Sequence, residues 1–288
     1  MKVSLFDADN KGPNLALMKL SAWYKEQGAE VLFNCGGGDI VFISCIFTKN
    51  LRRATLIQQA YGGIVGGSGT GDFAKVLSSE VEHICPDYSL YGLDYSMGFT
   101  SRGCFRGCAF CIVPAKEGDK VIEWSPLEEF VRHKRVLLLD NNFLASPRWR
   151  SKLTWLIERG VKADFNQGLD IRLVNKRNAS LLARLNPDYL RFSWDSMGIF
   201  ADVKRGLRLL RDAGFPIHDR HRLGFYILTG FDSTTKEDLY RCDYLHKLGI
   251  NTHVQVYGHS SGDLARVARW GNQPRIWKKT RFAGYTKA

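Results

Sequence analysis

Apolar residues come in short runs separated by polar breaks, and the period of those runs changes along the chain. Lys2–Phe6 reads as a buried strand that ends at Asp7. From Asn14 to Gln27 the apolar positions Leu15, Leu17, Met18, Leu20, Ala22 and Trp23 recur at helical spacing, and Gly28 closes that helix. Glu30–Phe33 and Asp39–Phe47 follow as two further apolar strands. Strand, helix, strand, strand within the first fifty residues predicts a small parallel, Rossmann-like α/β domain over 1–86.

From Met97 onward strand and helix alternate. The predicted strands are Met97–Gly103, Val136–Asp140, Ala163–Asn166, Leu190–Ser193, Leu223–Leu228 and Thr252–Tyr257. The predicted helices are Leu127–His133, Pro147–Glu158, Lys176–Leu185, Phe200–Asp212 and Lys236–Leu248. A complete eight-unit barrel takes about 250 residues and only roughly 160 are available here. The pattern therefore predicts a partial (β/α)6 TIM-type barrel over 87–260, followed by a C-terminal extension over 261–288. Asp87–Asp94, with its tyrosines, is expected to pack at the barrel mouth. The glycine-dense stretch Gly62–Gly71 lacks a Gly-Lys-Ser/Thr ending and reads as a mobile connection between the two domains.

Composition narrows the setting. The chain has 288 residues, 44% hydrophobic and 24% charged, as in soluble globular proteins. Asp7, Asp9 and Lys11 interrupt the opening segment, so no signal core is expected there. No uncharged apolar run approaches the ~18 residues of a membrane span. Seven cysteines, three of them clustered, fit a reducing cytoplasm better than a disulfide framework. A net charge of +12 favours a polyanionic partner such as RNA or DNA.

The candidate chemistry is concentrated in Gly103-Cys104-Phe105-Arg106-Gly107-Cys108-Ala109-Phe110-Cys111, three thiols at Cys-x-x-x-Cys-x-x-Cys spacing. Cysteine thiolates hold iron–sulfur clusters, and three ligands on a four-iron cube leave one iron open to a substrate or cofactor. Structural zinc, the main rival, asks for a complete tetrahedral set, and no second ligand pair follows at finger spacing. Two function classes follow: an iron–sulfur enzyme, or a non-catalytic, zinc-stabilised nucleic-acid-binding protein.

The cysteine spacing, with Phe110 immediately before the third cysteine, resembles the signature of the radical S-adenosylmethionine (radical SAM) superfamily. The resemblance covers roughly Asp87 to Tyr257, and the order of segments is most similar to the subgroup carrying a cobalamin-binding-type domain ahead of the barrel. It implies that Cys104, Cys108 and Cys111 ligate a [4Fe–4S] cluster. It also implies that the open iron chelates S-adenosyl-L-methionine, which is cleaved reductively to a 5′-deoxyadenosyl radical with an electron from a donor such as flavodoxin or ferredoxin. The subgroup's cobalamin ligand is a histidine after the first strand; the first histidine here is His83, so cobalamin is not expected. An auxiliary cluster on Cys35, Cys45 and Cys85, of the kind held by the neighbouring methylthiotransferase branch, is not expected either. In that branch the first cysteine lies very near the start and an RNA-binding barrel follows.

In parallel barrels the chemistry sits at the C-terminal ends of strands. The resemblance maps Asp140-Asn141-Asn142 onto the family's Gly-Gly-Glu, which receives the amino group of S-adenosylmethionine. Asp195 falls at the family's Glu-Ser ending and is a candidate for the ribose hydroxyls, and Tyr226 lies on the adenine-flanking strand. Arg172 is a candidate partner of the methionine carboxylate, with Asp170 holding it. His218 and His221 read as a polar surface loop. From Arg266 to Ala288 the tail carries Arg266, Arg269, Arg275, Lys278, Lys279, Arg281 and Lys287, with Trp270, Trp277, Phe282 and Tyr285 interleaved and no acidic residue. Cations and flat rings are the means of single-strand binding, while the same rings would equally close the side of a barrel. The substrate class left open is a nucleic-acid base or nucleotide, with a peptide or small metabolite as the alternative.

Overall fold

The computed structural model describes residues 1–10, 12–185, 187–258 and 262–285. The chain is mixed α/β with parallel sheets, and among the described residues no barrel closes. The first sheet contains β1 (Lys2–Asp7), β2 (Glu30–Phe33), β3 (Ile40–Ser44) and β4 (Ile64–Gly66). All its pairs are parallel and its order is β2-β1-β3-β4. The helix Leu15–Glu26 starts where the Asn14 side chain accepts from the Leu17 N–H, and it buries Leu17, Met18 and Leu20.

Two departures from the sequence reading occur in this sheet. β3 stops at Ser44 instead of continuing to Phe47, because the Asp9 carboxylate accepts the amides of Ile46 and Phe47 at 2.5 and 3.1 Å. The glycine-dense stretch is not a loose connection: it contains β4, paired with β3. Gly63 has φ +93°, and a Cβ there would lie 2.4 Å from the Val41 carbonyl oxygen. The glycines let this edge strand approach closely. The helix Leu51–Tyr61 that precedes it was not anticipated.

The remaining strands are β5 (Ser96–Gly98), β6 (Ser101–Arg102), β7 (Ile122–Glu123), β8 (Arg135–Leu138), β9 (Lys162–Phe165), β10 (Leu190–Ser193), β11 (Leu223–Thr229) and β12 (Asn251–Val256). They form two parallel sheets, β5-β8-β9 and β10-β11-β12, and one antiparallel hairpin, β6-β7. A parallel bridge between Leu169 and Phe192 links the two larger sheets in series. Leu190, Phe192, Leu223, Phe225 and Ile227 are fully buried against the surrounding helices. Arg191, Ser193, Tyr226 and His253 take the alternate positions, on the opposite face.

The predicted strand Met97–Gly103 is broken into β5 and β6. Asp140 accepts from the Thr100 N–H, the Thr100 hydroxyl and the Ser101 hydroxyl, which turns the chain between them. The helix after Leu127 ends at Phe130, not His133, because the Arg132 and His133 amides donate to Ser96 Oγ. Tyr88 lies near the start of β8, its hydroxyl donating to the Phe130 carbonyl at 2.6 Å, so the 87–94 segment joins the first sheet's helix to β5.

The helix Gly262–Gly271 lies along β12, with Val267 and Trp270 in the main core. Trp270 and Tyr285 are buried, and Trp277 and Phe282 are partly buried against the same core. Most of the tail's aromatic surface therefore serves packing. Lys11 and Lys287 lie outside the described residues. Among the described residues no helix is long and apolar enough to cross a membrane.

Candidate functional site

The cysteine loop leaves β6 and is clamped at both ends. Arg102, the last residue of β6, pairs with Glu117 at 2.9 Å and with Glu82 at 3.4 Å. Its guanidinium lies 4.3 Å from the Phe99 ring centroid and 4.6 Å from that of Trp124. Glu117 closes the short helix after the loop, so this one ion pair joins entry to exit. Gly103 has φ +81°, and a Cβ there would stand 2.0 Å from the Lys120 carbonyl oxygen; only glycine fits. The Gly103 N–H donates to Asn141 Oδ1 at 2.8 Å, which fastens the loop to the end of β8.

The sequence-predicted residues come together unevenly. Asn142 is buried, and its Nδ2 donates to the Cys104 sulfur at 3.5 Å. Its Oδ1 is buried without a hydrogen-bond partner, an acceptor beside the first cysteine that no protein donor satisfies. Asp140 is turned away from solvent and committed to Thr100 and Ser101; burial pushes its carboxyl up. Asp170 accepts from Arg106, inside the cysteine loop, at 2.6 Å and from Arg172 at 2.7 and 3.1 Å. Burial raises the Asp170 carboxyl, but hydrogen bonds from the two arginines outweigh it and hold it below the usual carboxylate range.

Asp195 follows β10. Burial raises its carboxyl to about 6, against the opposing pull of Arg241 and Arg172. The Cys108 thiol is raised, chiefly by burial; Arg172 pulls it down, while Cys111, Asp195 and Cys104 push it up. Thiols, arginine and carboxylate thus feel one another across a single site. Tyr226 stands further along the face, its hydroxyl donating to the Asn166 carbonyl at 2.8 Å. Phe110 meets Phe231 edge-on at 5.6 Å, and Phe231 meets Tyr257 at 4.8 Å, forming an aromatic rim.

In donor type the three thiols of one loop suit an iron–sulfur cluster; their arrangement is not that of a closed ligand set. The three cysteines share one loop, and two of the sulfurs accept hydrogen bonds, Cys104 from Asn142 and Cys111 from the Val113 N–H at 3.4 Å. Among the described residues no three His, Cys, Asp or Glu side chains converge as a ligand set, so the sulfurs share a neighbourhood without meeting at one point. Cys45 is fully buried and its thiol is raised by burial, while Cys35 is exposed and Cys85 half-buried. His218 Nδ1–H donates to the Leu248 carbonyl, 2.9 Å away, at the opposite ends of the strands.

Arg106, Phe231 and Arg241 escaped the sequence reading. Arg241 is wholly buried beneath the site, donating to the carbonyls of Trp194 and Leu228 at 2.7 and 2.8 Å, where β10 and β11 end. Its spacing of three from Asp238 in one helix was the available signal.

No family model matches the chain, and no curated protein gives a significant match to it.

Proposed function

We propose that the chain is a radical S-adenosylmethionine enzyme, with Cys104, Cys108 and Cys111 as ligands of a [4Fe–4S] cluster. The supporting observation is that one loop carries all three thiols and stands beside the unpartnered oxygen of Asn142 and the Asp170–Arg172 pair, with Arg172 and Asp195 both acting on Cys108. In this reading β5, β8, β9, β10, β11 and β12 are a partial (β/α)6 barrel and the β2-β1-β3-β4 sheet is Rossmann-like. The site residues follow C-terminal strand ends, where such barrels carry their chemistry.

When bound, the cluster supplies one low-potential electron to the sulfonium of S-adenosylmethionine. The protein's share is positioning. Asn142 Oδ1 would accept from the methionine amino group, and the Arg172 guanidinium, held by Asp170, would pair with the methionine carboxylate. Asp195, ionised above about pH 6, accepts from the ribose hydroxyls. Asn141 and Asp140 act through the backbone they hold, Asn141 at Gly103 and Asp140 at Thr100 and Ser101. Asn142 Nδ2 and the Val113 amide lower charge on two sulfurs, which raises a cluster's potential. Phe110, Phe231 and Tyr257 restrict water at the rim. A nucleic-acid base or nucleotide is the proposed substrate, favoured by the net charge of +12.

The test is anaerobic incubation of cluster-loaded protein with dithionite and S-adenosylmethionine, measuring 5′-deoxyadenosine. Wild-type protein forms it, Cys108→Ala protein does not, and Cys85→Ala protein retains it. Absence of product with loaded wild type, or its persistence in Cys108→Ala, sinks the reading.

A further inference from the structure

A cleft of about 620 Å³ opens at the ends of β11 and β12 opposite the cysteine loop. It is lined by the segment His218–His221 ahead of β11, by Lys247 and Gly249 ahead of β12, and by His246, Trp277 and Lys278. With β11 seven residues long, the cleft lies roughly 20 Å from the cysteine-loop end of the sheet.

Its charge is one-sided. Arg220, Lys247 and Lys278 line it against a single carboxylate, Asp219, which accepts from the His221 backbone N–H at 2.8 Å. Among the described residues none of the three has a carboxylate within salt-bridge distance; Asp243 acts on Lys247 from further off. Further tail cations, Arg275, Lys279 and Arg281, are exposed nearby in sequence to Trp277.

The wall is aromatic and polar at once. Trp277 stacks on His246 at 4.0 Å with the rings 7° from parallel, and the Lys278 ammonium lies 5.8 Å from the Trp277 centroid. Thr252 Oγ1 donates to the Gly271 carbonyl at 2.7 Å, so it accepts from His246 Nε2–H at 2.9 Å. That fixes the tautomer and leaves His246 Nδ1 as an acceptor. Both this atom and the Trp277 Nε1–H donor are buried and without a hydrogen-bond partner. Cations in excess of carboxylates around a flat ring are the components of a single-strand site, where phosphates meet cations and a base meets a ring.

We propose that this cleft binds the phosphodiester backbone of a single-stranded nucleic acid, holding it at a distance from the cysteine loop. The proposal builds on the nucleic-acid reading of the substrate but makes no use of the cluster. A strand anchored here reaches the opposite end of the sheet only if it is several nucleotides long, so delivery of a base to the cysteine loop depends on length.

The experiment is fluorescence anisotropy of labelled 12-nucleotide RNA and DNA strands on cluster-loaded protein between 50 and 200 mM salt. The Arg220→Ala/Lys247→Ala/Lys278→Ala protein is expected to bind at least about tenfold more weakly at the low-salt end. Its slope of log affinity against log salt should be shallower by about 2, since each lost phosphate contact on a single strand removes about 0.7. Trp277→Leu protein should lose affinity several-fold with an unchanged slope, and Arg177→Ala protein should match wild type. Stronger binding of RNA or of DNA identifies the natural strand. Cys108→Ala protein should bind the strands as wild type does while failing to form 5′-deoxyadenosine, which separates this proposal from the cluster. Unchanged affinity and slope in the triple variant overturns it, as does full displacement of the strand by millimolar pyrophosphate, which would mark a small-anion site.

Discussion

Arg241 is the residue whose loss should tell most about how the site is held. Its side chain and that of Asp238 are both fully buried, and its guanidinium also donates to the Trp194 and Leu228 carbonyls. Arg241→Met keeps the apolar volume but strands an anionic carboxylate in the core and leaves two strand-end carbonyls unpaired. Breaking a buried pair from one side costs about 3–5 kcal/mol. With a urea slope near 3 kcal/mol per M, a loss of about 4 kcal/mol lowers the unfolding midpoint by about 1.3 M. The double variant Arg241→Met/Asp238→Leu removes both charges and should recover about half of that loss, the remainder belonging to the carbonyls. Asp195 follows Trp194 directly, so the single variant should also weaken S-adenosylmethionine binding. The assay is urea unfolding followed by tryptophan fluorescence, alongside calorimetric titration with S-adenosylmethionine. A midpoint within about 0.3 M of wild type, or strictly additive single and double losses, would refute a load-sharing buried pair.

Further outcomes follow from the same geometry. Gly103→Ala places a methyl against the Lys120 carbonyl at a positive φ, so reconstituted protein should hold less than half the iron of wild type while the fold persists by circular dichroism. S-adenosylmethionine affinity should fall as pH drops through about 6, where Asp195 takes up a proton and loses its acceptor role, and Asp195→Asn should flatten that profile. His246 is held neutral, chiefly by burial, with its value pushed down to about 3. A depressed histidine favours the unfolded state once pH falls below about 6.5, so acidification to pH 4 should cost about 3 kcal/mol, and His246→Gln should remove most of that dependence.

The strand and helix periods in the sequence were sufficient to find β2, β10 and the helices Lys176–Leu185 and Phe200–Asp212 at their observed bounds. What escaped depends on partners distant in sequence. The break between β5 and β6 is caused by Asp140, forty residues on, and β3 is ended by Asp9 from an earlier loop. β4 was hidden because glycines carry no apolar signal, although their smallness is what admits that strand. In the site, the cysteines were legible from spacing alone. Arg106 was not, because nothing near it in sequence shows that it meets Asp170, sixty-four residues on; Arg241 carried only the weak signal of its spacing from Asp238, which does not tell that the pair is buried where strands end. The tail's rings read equally well as a stacking platform and as core, and helical spacing of Val267 and Trp270 was the unused clue that favours core.

The central claim is that the three thiols of one loop hold a single four-iron cube. Iron, acid-labile sulfide and zinc should be quantified per chain in anaerobically reconstituted protein, for wild type and for Cys104→Ala, Cys108→Ala and Cys111→Ala. About four irons and four sulfides in wild type, falling steeply in each variant, is the expected result. One zinc with no sulfide, or an iron content untouched by these substitutions, contradicts it.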